Sequence, residues 1–124
     1  MRVLVVDDLA INRVLTISLL RTLGVEAQGA GGASSALKAL SETDYQAILV
    51  DYFLGDMTGA ELARRVRAEH GQKHRIVGLS GDGDAATRQE ALEAGMDAFL
   101  CKPATCEALK AVLKTDGPTL AGCV

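Results

Sequence analysis

The chain has 124 residues, 48% of them hydrophobic and 23% charged, and carries a net charge of -3. That suits one domain with a full hydrophobic core and excludes a disordered chain. The acidic balance argues against nucleic-acid binding through this domain, which would need a basic stripe. No apolar run approaches the length of a membrane span, so no membrane contact is expected. Met1-Arg2 leads straight into a strand pattern, with no signal-peptide pattern at the start. Cys101, Cys106 and Cys123 have no metal-ligand spacing and read as reduced thiols of a cytoplasmic protein. His70 and His74 flank a glycine and read as a polar helix end and a loop.

Arg2-Val3-Leu4-Val5-Val6 is β-branched and apolar, a buried strand that ends at Asp7-Asp8. A helix follows from Ala10 to Leu23 and stops at Gly24. At the helical period, Asn12, Thr16, Leu19, Leu20 and Leu23 gather on one side, while Ile11, Val14, Leu15 and Ile17 fall outside it. The helix is thus apolar on more than one face. Val25 to Gly29 is a weak, alternating edge strand, broken by the glycines up to Gly32. Ala33 to Ser41 is a helix with Ala36, Leu37 and Leu40 inward.

Ala47-Ile48-Leu49-Val50 runs unbroken into Asp51, the pattern of a central strand buried on both faces. After the loop from Phe53 to Met57, Thr58 caps a third helix reaching Glu69, with Leu62, Ala63 and Val66 inward. A fourth strand, Arg75 to Leu79, ends at Ser80. Asp84 is placed to cap a fourth helix, Ala85 to Ala94. Ala98 to Cys101 is a fifth strand ending at Lys102-Pro103, and a fifth helix runs from Thr105 to Lys114. Residues 1–115 form the domain; 116–124 have no periodicity and read as a mobile tail. Strand and helix alternate throughout, which argues for a parallel sheet covered on both faces.

In open α/β sheets the chemistry sits at the carboxyl ends of the strands. Here those ends deliver Asp7 and Asp8, then Asp51, Ser80 and Lys102. Three carboxylates at one rim repel one another, and at least one would keep its proton unless cations intervene. Mg2+ takes oxygen ligands and commonly uses a few carboxylates plus phosphate oxygens, with Mn2+ as an alternative ion. Lys102 adds a flexible positive charge and Ser80 a neutral hydroxyl. Such a set suits phosphoryl transfer onto a carboxylate, with Asp51 as the nucleophile. Taken alone, an acid pair after a strand is equally explained as a helix cap, and Ser or Lys-Pro at a strand end means little.

Val5-Val6-Asp7-Asp8, Leu49-Val50-Asp51, Leu79-Ser80-Gly81 and Phe99-Leu100-Cys101-Lys102-Pro103 together resemble the receiver domains of two-component response regulators. Leu9-Ala10-Ile11-Asn12-Arg13 is most similar to receivers of hybrid sensor histidine kinases. The resemblance implies a flavodoxin-like, doubly wound sheet of five parallel strands, order 2-1-3-4-5, with helices on both faces. It also implies that Asp51 accepts a phosphoryl group from a phosphohistidine on a histidine kinase or histidine phosphotransfer protein. Asp8 and Asp51 would bind Mg2+ directly, with the Phe53 backbone carbonyl as a further ligand and Asp7 acting through water. Lys102 would contact the phosphoryl group. Ser80 would swing toward it and Phe99 would turn inward, switching the surface of the fourth helix, fifth strand and fifth helix, through which a homodimer is an open option.

Ile11 and Leu15, beside the acid pair, would dock the histidine-bearing partner; the alternative is scattered surface apolar residues. The family usually has Pro at the position of Gly55, so the loop after Asp51 is expected to be looser. Phe53 would screen an acyl phosphate from water, whereas Asp82 would orient that water. The expected function is therefore a phosphoacceptor that catalyses its own phosphorylation and dephosphorylation, not a turnover enzyme. A flavodoxin-like cofactor binder is disfavoured because Asp7-Asp8 would repel a phosphate after the first strand. An aspartyl phosphatase would carry an acid where Phe53 stands. A degenerate receiver serving only as an interaction module would be expected to have lost an acid or the lysine, and this chain retains them.

Overall fold

The computed structural model describes residues 1–71, 73–81, 85–102 and 105–114. Along the chain run β1 (Arg2–Val6), α1 (Ala10–Thr22), β2 (Glu26–Ala30), α2 (Ala33–Glu42), β3 (Ala47–Asp51), α3 (Gly59–His70), β4 (Arg75–Ser80), α4 (Ala85–Glu93), β5 (Ala98–Cys101) and α5 (Cys106–Lys114). The strands pair in parallel in the order β2-β1-β3-β4-β5, the flavodoxin-like arrangement the sequence led us to expect. Asp82, the proposed cap Asp84, Pro103, Cys123 and the tail 116–124 lie outside the described residues.

Side chains alternate across a strand, so each apolar run feeds two cores. Leu4, Val6, Ile48, Val50 and Ile76 point to one face, where they meet Ala36 and Leu40 of α2, Leu62 and Val66 of α3 and Ala91 of α4. Val3, Val5, Leu49, Val77 and Leu100 point to the other, against Leu20 of α1 and Leu109 and Val112 of α5. All five residues of β3 are buried, as befits the central strand. Register then fixes the rim. Val6 pairs with Val50 and Asp51 with Leu79, so Asp7, Asp51 and Ser80 emerge at neighbouring levels.

Several expectations need correction. β2 is Glu26–Ala30, one residue later than the alternation suggested. The reason is that the Val25 N–H closes α1 by donating to the Leu20 carbonyl at 3.0 Å, so pairing with β1 starts at Glu26. Gly29 lies inside the strand, not at a break. A Cβ there would stand 2.9 Å from Cδ of Arg13, which crosses it. In α1, Ile17 packs against the core although the helical projection left it outside, and Asn12 and Thr16 are half-buried.

His74 is not a polar loop residue but is 2% exposed, its Nδ1 donating to the Tyr45 carbonyl at 2.6 Å. Burial pushes its imidazole pKa down. Arg67 holds it in place, donating to the His74 carbonyl at 2.6 Å, to the Gly95 carbonyl at 2.9 Å and to Asp97 at 2.7 Å. Cys106 is a free thiol, as expected.

Candidate functional site

Asp7, Asp8, Asp51, Ser80 and Lys102 come from four strand ends and meet at one rim. Carboxylate oxygens of Asp7, Asp8 and Asp51 lie within 4.8 Å of one another. The Lys102 ammonium sits between two of them, 3.2 Å from Asp7 Oδ2 and 3.3 Å from Asp51 Oδ1. Asp7 and Asp51 are buried, whereas Asp8 is exposed.

Asp7 is engaged on every side. Its N–H donates to the Ala30 carbonyl at 3.1 Å, and its own carbonyl accepts from the Arg13 guanidinium at 2.7 Å. Its Oδ1 accepts from the Leu9 N–H at 2.9 Å, and its Oδ2 faces Lys102. The capping explanation of the acid pair therefore holds only in part. Asp7 closes the turn into α1, but the N-cap residue itself, Leu9, contributes no side-chain cap.

Burial is the leading cause that raises the Asp51 carboxyl above its ordinary range. Lys102 opposes it, Asp7 adds to it, and a backbone hydrogen bond from Phe53 opposes it again. Repulsion between the acids is thus a smaller contribution than burial, and Lys102 is paired with Asp7 and Asp51. All the donors are carboxylate oxygens, the hard set that suits a divalent cation such as Mg2+.

Ser80 is 1% exposed at the end of β4, and its carbonyl accepts from the Lys102 N–H at 2.8 Å. Phe99 is wholly buried, with its ring edge-on to Tyr52 at 6.3 Å between centroids. Gly78 makes the room, since a Cβ there would stand 2.6 Å from Sδ of Met96 and 2.9 Å from Cδ2 of Phe99. Tyr52 in turn meets Phe53 at 4.9 Å, so an aromatic path joins the core to the surface.

Phe53 is 60% exposed. Ile11 and Leu15 are exposed too, at 66% and 56%, together with Val14 on α1 and Leu9 at its N-cap. Leu15 also lines a cleft of about 550 Å3 with Asn12, Thr16, Leu19, Leu79 and Lys102, which links the α1 face to the acid site.

Sequence reasoning missed two supports of this rim. One is Arg13, whose signal was Gly29, where a Cβ would stand 2.9 Å from its Cδ. The other is Asp56, which accepts from the Ala33 N–H at 3.0 Å and so reaches from the loop after β3 to the start of α2. Its signal was an α2 start, Gly31-Gly32-Ala33, with no capping side chain of its own.

No helix among the described residues is long and apolar enough to cross a membrane. Over 113 residues the chain is 38% identical to the sensor histidine kinase RcsC of Salmonella typhi, covering 91% of this chain and 12% of that protein. The chain thus spans only a small part of that relative. It is 34% identical over 113 residues to the chemotaxis protein CheY-3 of Vibrio cholerae, covering 89% of this chain and 86% of that one. Among solved structures it superposes on Vibrio cholerae CheY4 with a TM-score of 0.85 at 27% identity, covering 91% and 95% of the two chains. It also matches a co-crystal structure of the Saccharomyces cerevisiae histidine phosphotransfer signalling protein Ypd1 and the receiver domain of its downstream response regulator Ssk1. That match has a TM-score of 0.81 at 26% identity, covering 89% and 83%. The model of the response regulator receiver domain matches residues 3–114, and the chain belongs to that family.

Proposed function

We propose that Asp51 accepts a phosphoryl group from a phosphohistidine, on a histidine kinase or a histidine phosphotransfer protein, in a reaction that requires Mg2+ or Mn2+. The observation that carries this reading is the Lys102 ammonium 3.3 Å from the buried Asp51 carboxylate at the rim shared with Asp7 and Asp8. An oxygen of Asp51 attacks phosphorus, the P–N bond breaks, and the imidazole leaves with its electron pair. Asp8 and Asp51 would hold the ion with the Phe53 carbonyl. Asp7 already spends both oxygens on Leu9 and Lys102, which suits contact through water. When bound, the ion supplies positive charge at the phosphoryl oxygens. Lys102 neutralises a further oxygen and remains anchored by Asp7.

The modified Asp51 would then draw Ser80 toward itself and favour the inward position that the Phe99 ring occupies in this structure. The coupling required is modest, about 1–3 kcal/mol. The exposed apolar residues Ile11 and Leu15, with Leu9 and Val14 on the same stretch of chain, are the proposed dock for the histidine-bearing partner. The structural match to the receiver crystallised with Ypd1 supports a partner of that kind.

Incubation with Mg2+ and phosphoramidate or acetyl phosphate, followed by intact-mass measurement, tests the reading. The native chain should gain one phosphoryl group, lose that gain when the metal is chelated, and gain none as Asp51→Asn. A native chain unchanged in mass contradicts it.

A further inference from the structure

The start of α2 has no cap of its own. Gly32 occupies the N-cap position in extended backbone and offers no side chain. The first N–H groups of a helix have no intrahelical acceptor and favour negative charge beside them. Here the acceptor is borrowed. Asp56 receives the Ala33 N–H at 3.2 Å and 3.0 Å on its two oxygens, and the Ser34 N–H at 3.4 Å. The Ala33 bond is the leading cause that holds the Asp56 carboxyl below its ordinary range. The fit is close, for a Cβ on Gly32 would stand 3.3 Å from Asp56 Oδ2.

Asp56 lies on the loop that carries Phe53 away from Asp51. That loop is fastened at its base, where Leu54 N–H donates to the Met57 carbonyl at 3.2 Å and Phe53 bridges Thr58. Leu54 is buried, and Gly59 leaves no room for a side chain, since a Cβ would stand 2.7 Å from the Asp51 carbonyl. Gly55, at the tip beside Asp8, supplies no stiffness of its own. The tie to α2 does.

We propose that Asp56 is a positioning residue for the phosphoacceptor site. By capping α2 from the β3–α3 loop, it holds the Phe53 backbone in place beside Asp8 and Asp51, and metal affinity depends on it although it touches neither acid. The proposal rests on the phosphoacceptor reading above. It makes α2, which contributes no residue to the rim, part of the support for the metal site.

The test separates capping from tethering. Asp56→Ala removes both. Gly32→Ser combined with Asp56→Ala gives α2 a local cap but leaves the loop untied, and the extended backbone at residue 32 accepts a serine. Asp56→Asn keeps an acceptor oxygen. Mg2+ affinity is read by calorimetric titration of the full chain, and loop order by amide exchange of Leu54 without metal. Asp56→Ala should weaken Mg2+ binding about tenfold, the low end of the loss seen when the support of a metal ligand is removed. The double variant should regain thermal stability yet stay weak for Mg2+ and fast-exchanging at Leu54. Asp56→Asn should recover most of the affinity.

A double variant that binds Mg2+ as the native chain does would show Asp56 to be a helix cap alone and overturn the proposal, while native phosphorylation by phosphoramidate would leave the phosphoacceptor reading standing. A native chain that takes up no phosphoryl group would overturn both.

Discussion

The Lys102 ammonium and Oδ1 of Asp51 stand 3.3 Å apart, although one residue closes β5 and the other closes β3. The strand between them, β4, places Ser80 at the same rim. The lysine is thus the counter-charge of a carboxylate that burial has made reluctant to ionise. Replacing it with Gln keeps a polar side chain and removes the charge. Lys102→Gln is expected to slow phosphoryl uptake from phosphoramidate about 100-fold, the scale of losing one charge stabiliser in a phosphoryl or acyl transfer. A time course of intact mass checks this, and an unchanged rate would remove Lys102 from the chemistry.

Burial raises the Asp51 carboxyl, and Asp7 reinforces it. A carboxyl with a raised folded pKa binds its proton more tightly folded than unfolded. Its contribution to stability is present below the unfolded value and is lost as pH rises through the folded one. At neutral pH the ionised Asp51 therefore costs stability in the metal-free chain. Asp51→Asn should raise the thermal midpoint without metal, and the gap should narrow on adding Mg2+ or on lowering pH into the carboxylate range. A lower midpoint for the variant without metal at neutral pH would contradict the assigned direction.

Ile11 and Leu15 are exposed beside the acids, where a partner's histidine must approach. The double variant Ile11→Asp, Leu15→Asp should slow transfer from a phosphohistidine protein and leave phosphorylation by a small phosphodonor unchanged. Equal loss with both donors would show that these side chains act on the site itself and not on docking.

The Phe99 ring occupies space that only a glycine at position 78 leaves open. Gly78→Ala should destabilise the chain by about 1–3 kcal/mol in urea unfolding, the usual cost of overpacking a core. It should also push the ring toward solvent, visible as altered aromatic shifts of Phe99 and Tyr52 in NMR spectra. An alanine variant with native stability and unshifted rings would mean that the pocket tolerates a methyl group.

The fold was legible because four of the five strands announce themselves as short apolar runs and each ends on a chemically distinctive residue. The rim was legible for the same reason, since parallel strands bring their carboxyl ends together whatever their separation along the chain. What escaped was tertiary. Ile17 turns inward because α1 rests on the sheet through more of its circumference than a projection allots. His74 is drawn into the core by the guanidinium of Arg67, a contact no local pattern encodes. β2 starts late because α1 takes Val25 for its own closure. The bond from Asp56 to the start of α2 joins a loop residue to another helix, again beyond any local pattern. An uncapped helix start was the trace of that contact in the sequence.

The central claim concerns which carboxyl takes the phosphoryl group, and reduction with borohydride reads it directly, because an acyl phosphate of aspartate is converted to homoserine. After incubation with Mg2+ and phosphoramidate, peptide sequencing by mass spectrometry should find homoserine at position 51 and nowhere else. Homoserine at position 7 or 8, or at no position, would contradict the account.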